Sequence, residues 1–205
     1  MRYMSFLIVF SLFPGTSKAS DLMCGDELDA LTGGRAGRVI LNTIIDESPS
    51  SLTRSVLILA AIESGFDPEA RSNRSAFGLL QVTLPAAQDV QTITKRMQKI
   101  ALNKVLSTEY SHYVNEWIQY CDLPEPTEKV LMNPKWSVRY GSCYLQHLLE
   151  ISDGNLIKAL AGYNGGFRQR ALLVQQRQIH TETANYITKF HFLKSLATNC
   201  KENAI

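Results

Sequence analysis

The run Val56-Leu57-Ile58-Leu59-Ala60-Ala61-Ile62-Glu63-Ser64-Gly65-Phe66-Asp67-Pro68 decides how the rest of this chain is read. Its first seven residues are all apolar and offer no polar face, so a helix made of them has to be buried on every side. Glu63 is the first charge that such a core meets. Gly65 and Pro68 stop the helix and leave Glu63 in its last turn. Apolar neighbours disfavour the carboxylate, and the negative end of the helix dipole pushes the same way, which predicts a raised pKa. A carboxyl held protonated near neutrality is what a general acid requires. The competing reading is an ordinary helix-end glutamate that reaches solvent.

Outward from this point, Ser72 stands nine residues beyond Glu63, and Gly78-Leu79-Leu80-Gln81 closes a Gly-, Ser- and Arg-rich loop suited to lining a cleft. Ala161-Gly162-Tyr163-Asn164-Gly165-Gly166 and Glu182-Thr183-Ala184-Asn185-Tyr186-Ile187 follow downstream. In order, these blocks resemble the glutamate, Gly-Leu-Met-Gln, Ala-Tyr-Asn-Ala-Gly and Glu-Thr-x-x-Tyr-Val blocks of the lytic transglycosylases, lysozyme-like enzymes that cleave bacterial peptidoglycan. The helix opened by Asn133-Pro134 is similar to the family's Pro-x-x-Asn-Ile helix, with Ser137 in place of the usual asparagine, a departure read as structural.

The resemblance implies a mainly α, lysozyme-like single domain with Glu63 as acid and base. It implies that Ser72 contacts a sugar N-acetyl group, that Gln81 and Asn164 lie in the substrate groove, that Tyr163 orients Glu63, and that Tyr186 sits near the active-site floor. Glu182 reads equally as a groove carboxylate or as a first-turn acid that complements a helix dipole. Without the resemblance, Ser72 is a turn serine bonding its own backbone, Gln81 a helix-start polar residue and Tyr163 a half-buried helix-end tyrosine. The implied reaction forms 1,6-anhydro-muramic acid ends and needs no metal or cofactor. Small members of this build suggest local wall opening for a secretion, conjugation or pilus apparatus as partner. The alternatives are a goose-type-lysozyme-like muramidase and a non-catalytic wall-binding assembly protein.

Composition narrows the partners. Arg2, the apolar run Met4 to Phe13 and Ser17-Lys18-Ala19 predict a secretory signal over 1–19 and a periplasmic protein. The run is ten residues, against roughly 20 for a membrane span, so no span is expected after cleavage. Loss of Arg2 and Lys18 leaves 19 basic against 19 acidic residues. A nucleic-acid partner calls for a basic excess, which is not there. The four cysteines of an exported chain suggest disulfides. Three pairings are open, and the preferred one joins Cys24 to Cys200, tying the ends, and Cys121 to Cys143, closing a local loop. No cysteine pair has zinc-ligand spacing.

Along the chain, the glycines at 25, 33, 34 and 37 make the 20–48 region a lead-in whose first part, to residue 37, is loose, followed by a short helix over 38–45. The lysozyme-like domain covers 49–198 and a tail 199–205. Pro49-Ser50-Ser51 offers caps for the central helix. Apolar spacing from Asp89 to Cys121 predicts one or two amphipathic helices, and about 89–130 reads as a helical insertion. Its aromatics Tyr110, Tyr113, Trp117 and Tyr120 fit core packing better than a sugar-stacking platform. Asn133, Asn155 and Thr181 are the expected caps of the last three helices, the second of which ends at Tyr163-Asn164-Gly165-Gly166.

Overall fold

A computed structural model describes residues 18–34, 36–102 and 108–199. The described residues form nine helices and one two-stranded sheet, the mainly α architecture expected. Helix α3 (Thr53–Glu63) is the axis, and every residue from Val56 to Ala61 is buried. Around it pack α1 (Lys18–Thr32), α2 (Gly37–Glu47), α7 (Pro134–Glu150) and α9 (Thr181–Asn199). A helix without a polar face needs neighbours on all sides, and this one has them.

The chain leaves α3 through a tight reversal. Gly65 (φ 59°) and Phe66 (φ 63°) both take left-handed backbone, and the Phe66 N–H returns to the Ala60 carbonyl at 3.2 Å. Glycine tolerates this conformation at no steric cost. Phe66 is held in it by complete burial of its ring. Strands β1 (Ala76–Phe77) and β2 (Val82–Thr83) pair antiparallel and hold the returning loop against α6 (Glu128–Met132) and α7. Helices α4 (Leu84–Leu102) and α5 (Thr108–Cys121) lie against α7, and α8 (Leu156–Val174) joins α7 to α9.

Two caps stand as expected. Asn133 accepts the Trp136 N–H with Pro134 at the first helical position, and Asn155 accepts the Lys158 N–H at 3.0 Å. Other expectations change. The loose start of the lead-in is helical, with Cys24 and Leu28 buried in α1. Gly25 breaks nothing there, because its missing side chain lets α1 approach Leu41 and Leu57. The left-handed Gly33, Gly34 and Gly37 instead make the turn between α1 and α2. Helix α3 begins after the serines, with Leu52 at its N-cap and no side-chain cap, and Thr53 Oγ1 donates to the Pro49 carbonyl. By contrast, α8 is broken where the sequence predicts an end: Gly166 (φ 70°, ψ −178°) is non-helical and separates two helical segments within Leu156–Val174. Thr181 is the first residue of α9.

Cys121 and Cys143 form the expected disulfide and tie the end of α5 to α7. The pairing of Cys24 with Cys200 falls outside the described residues, as do residues 1–17 of the signal segment expected over 1–19 and residues 200–205 of the tail. No described helix is long and apolar enough to cross a membrane. The α4–α5 aromatics pack inward: Trp117 donates to Thr94 Oγ1 at 3.1 Å, Tyr113 donates to the Glu150 carboxylate, and Tyr120 donates to the Glu47 carbonyl. Tyr110 stacks on Tyr113 at 6.1 Å and is the most exposed of the group. Replacing both bridging cysteines by alanine is expected to lower stability by about 2–4 kcal/mol, read from urea unfolding, because the bridge restrains the unfolded chain.

Candidate active site

Two helices meet at Glu63. Helix α3 delivers it at its last residue, where it is half-buried. Helix α9 packs against α3 and brings Tyr186, whose hydroxyl donates to Glu63 Oε1 at 2.6 Å. Burial raises the Glu63 pKa from 4.5 to about 7, and the Tyr186 hydrogen bond and the Lys189 ammonium oppose that rise without cancelling it. Burial, followed by the nearby Glu63, holds the Tyr163 and Tyr186 phenols far above their usual range, so both stay protonated donors.

The resemblance implies that Tyr163 orients Glu63, but it is Tyr186 that hydrogen-bonds this carboxyl, while Tyr163 donates to the Leu80 carbonyl at 3.0 Å. Packing decides it. Gly141 on α7 faces Leu80 and the Tyr163 hydroxyl so closely that a Cβ would collide with the Leu80 side chain and stand 2.8 Å from the hydroxyl. The Tyr163 ring packs against Tyr144 of α7 at 5.6 Å, which fixes its direction.

The Gly78-Leu79-Leu80-Gln81 block is held by hydroxyls from three helices. Ser64 donates to the Leu79 carbonyl at 2.9 Å, Ser137 accepts the Leu80 N–H at 3.2 Å, and Tyr163 holds the Leu80 carbonyl. Gly78 (φ 72°) passes so close to the Leu131 carbonyl and Ser137 that no larger residue fits. Ser137, read from sequence as a structural departure, is completely buried in this clamp. Gln81 (φ 45°) turns its Nε2 back to the Ala70 and Gly78 carbonyls at 3.0 and 2.9 Å. Both amide hydrogens are then used, and its Oε1 is the acceptor left over. Gly141→Ala is expected to lower stability by about 1–3 kcal/mol, measured by chemical denaturation, since Leu80 and Tyr163 must both move.

Ser72 accepts the N–H groups of Arg74 (3.1 Å) and Ala76 (3.0 Å) on its hydroxyl oxygen. It is therefore a turn serine whose remaining capacity is to donate its proton. Asn164 Oδ1 accepts from Thr183 Oγ1 at 3.0 Å and pins the α8 bend to the first turn of α9. Glu182 lies in that first turn and forms a two-pronged pair with Arg74, at 2.9 and 3.1 Å. Arg74, Ser64 and Gly141 carry no signal in the linear sequence that separates them from other loop and helix residues. Only the folded contacts reveal them. No group of three His, Cys, Asp or Glu side chains arranged to hold a metal ion occurs among the described residues.

Comparison with protein families gives one result. The family described as Transglycosylase SLT domain matches residues 44–186, more than half of the chain. That span takes in α3, the loop carrying Ser72 and Gln81, Tyr163 and Tyr186. No match was found among curated proteins or among solved structures.

Proposed function

As the chain belongs to the SLT transglycosylase family, whose domain acts as a peptidoglycan lytic transglycosylase, we propose that Glu63 carries both proton transfers of that reaction. The observation behind this is one half-buried carboxyl, pKa about 7, held by the Tyr186 hydroxyl. Most glycosidases use two carboxylates. Glu182 is bound to Arg74, and the family resemblance implies that the substrate supplies the second group.

Protonated Glu63 gives its proton to the oxygen linking N-acetylmuramic acid to N-acetylglucosamine. The bond from that oxygen to the anomeric carbon breaks, and the N-acetyl oxygen of the muramic acid supports the carbon left behind. Glu63, now a carboxylate, removes the proton from the C6 hydroxyl of the same sugar. The C6 oxygen then closes the 1,6-anhydro ring, and Glu63 ends protonated as it began. Because nucleophile and electrophile share one sugar, alignment alone is worth roughly 7–11 kcal/mol of barrier when it is good.

Ser72 suits the N-acetyl carbonyl because its oxygen is already saturated as an acceptor and its proton is available. Gln81 offers Oε1 to a sugar hydroxyl, Asn164 shapes the groove beside the α8 bend, and Tyr163 supports the Leu80-Gln81 segment. The site acts on peptidoglycan glycan strands in the periplasm, and the size of the protein favours local wall opening during assembly of a secretion, conjugation or pilus apparatus. A mass spectrum of fragments released from purified peptidoglycan tests the reaction. Ends one water lighter than reducing ends are expected, and reducing ends would move the protein to the hydrolases.

A further inference from the structure

At the first turn of α9, three residues before Tyr186, lies a feature that the cleavage step does not use. A groove runs between the α8 bend, the first turn of α9 and the Ser72 loop, lined by Arg74, Asn164, Arg168, Gln169, His180 and Glu182, among others. Its walls are fixed. Gln169 is buried and its Oε1 accepts the His180 N–H at 2.9 Å, while Thr183 is bound to Asn164. Gly165 permits this approach, since a Cβ there would collide with Gln169 and stand 2.9 Å from Thr183 Oγ1.

The rim is cationic on balance. Arg74 and Glu182 satisfy each other, whereas no acid lies within ion-pair reach of Arg168 among the described residues. The groove also receives the N-terminal end of α9, where the helix dipole favours negative charge. Sugar hydroxyls and N-acetyl carbonyls can accept from an unpaired guanidinium, but a carboxylate is its stronger, two-pronged partner. The anionic parts of peptidoglycan are the carboxylates of the peptides hung from the lactyl group of muramic acid, or that lactyl group itself when the peptide is gone.

Position favours the peptide. Thr183 in the groove is three residues, about 4.5 Å along the helix axis, before Tyr186, which touches Glu63. The sugar whose linkage Glu63 breaks is the one that bears the peptide, so the peptide leaves the cleavage point within a residue or two of this groove. We propose that the groove is a stem-peptide subsite in which Arg168 binds a peptide carboxylate, with His180 and the α9 N-terminus beside it. This rests on the peptidoglycan reading above. It makes the protein selective for strands that still carry peptides.

The test compares strands bearing stem peptides with the same strands stripped by an amidase, which leaves free lactyl carboxylates. The wild type is expected to prefer peptide-bearing strands about tenfold in kcat/KM, the scale of one charge-assisted hydrogen bond. Arg168→Ala is expected to shrink that ratio to about twofold, and Arg168→Lys to restore part of it. A wild-type ratio near one, or a ratio that Arg168→Ala leaves alone, overturns the proposal. Titration of Glu63→Gln with a soluble peptide-bearing disaccharide and with its stripped counterpart reads the subsite without turnover. Tighter binding of the peptide form, weakened by salt, supports it, and equal binding overturns it. Should the wild type cleave neither strand, the catalytic reading fails and this titration still decides the subsite.

Discussion

Glu63→Gln is expected to lower glycan cleavage by at least roughly 10³-fold, because in the proposed reaction one group supplies both the acid and the base and each role alone is worth about 10²–10⁴. The same substitution stabilises the fold above neutral pH. Burial raises the Glu63 pKa from 4.5 to about 7, so the folded state favours the protonated carboxyl. Its stabilising contribution is complete below pH 4.5 and is lost as pH climbs through about 7. Glutamine never ionises and keeps the neutral shape, so it escapes that loss. The shift sets an upper bound of about 3 kcal/mol, reduced by the solvent contact of a half-buried residue. Thermal unfolding at pH 8 is therefore expected to show a higher Tm for Glu63→Gln than for the wild type, and at pH 4 equal values. Loss of turnover with a lowered Tm at both pH values would instead mean that the variant had damaged the fold. Stability given up at a functional group is a common compromise.

Glu150 supplies the comparison. Burial raises its pKa to about 7 as well, against the opposing hydrogen bonds from Tyr113 and Gln146. Its place is the last residue of α7, where it holds α5 through Tyr113. Glu150→Gln is expected to raise Tm above neutral pH in the same direction while leaving turnover intact. The two carboxyls share a pH window and differ in what they do within it. Burial alone therefore does not mark the catalytic group.

Much of this arrangement is legible from short-range signals. The apolar run before Glu63, the break at Gly65 and the caps at Asn133 and Asn155 depend on neighbours within a few residues, and they fold as local chemistry dictates. The failures share a different origin. Gly25 reads as a breaker, yet it lies inside α1 because Leu41 and Leu57 need its missing side chain. Which tyrosine reaches Glu63 is fixed by how closely α7 approaches Leu80 at Gly141, a contact between residues far apart in the chain. Arg74 and Glu182 stand 108 residues apart, so their pairing leaves no mark in either local stretch.

Tyr186→Phe separates the tuning of Glu63 from its presence. The Tyr186 hydroxyl donates to Glu63 at 2.6 Å and favours the carboxylate, holding down a pKa that burial would set higher. Phenylalanine keeps the ring that α9 buries and deletes only the donor. The Glu63 pKa then rises above about 7. Free enzyme must carry protonated Glu63 to attack, so wild-type kcat/KM falls as pH rises through about 7. In Tyr186→Phe that descending limb moves to higher pH, while kcat drops about 10- to 100-fold because the carboxylate formed in the first step loses its partner before it takes the C6 proton. A residue that only packed α9 against α3 would lower stability and leave the pH midpoint in place. Tyr163→Phe provides that contrast, since its hydroxyl bonds the Leu80 carbonyl and not Glu63. A profile of kcat/KM against pH for the three proteins therefore distinguishes the phenol that tunes the acid from the phenol that holds the loop.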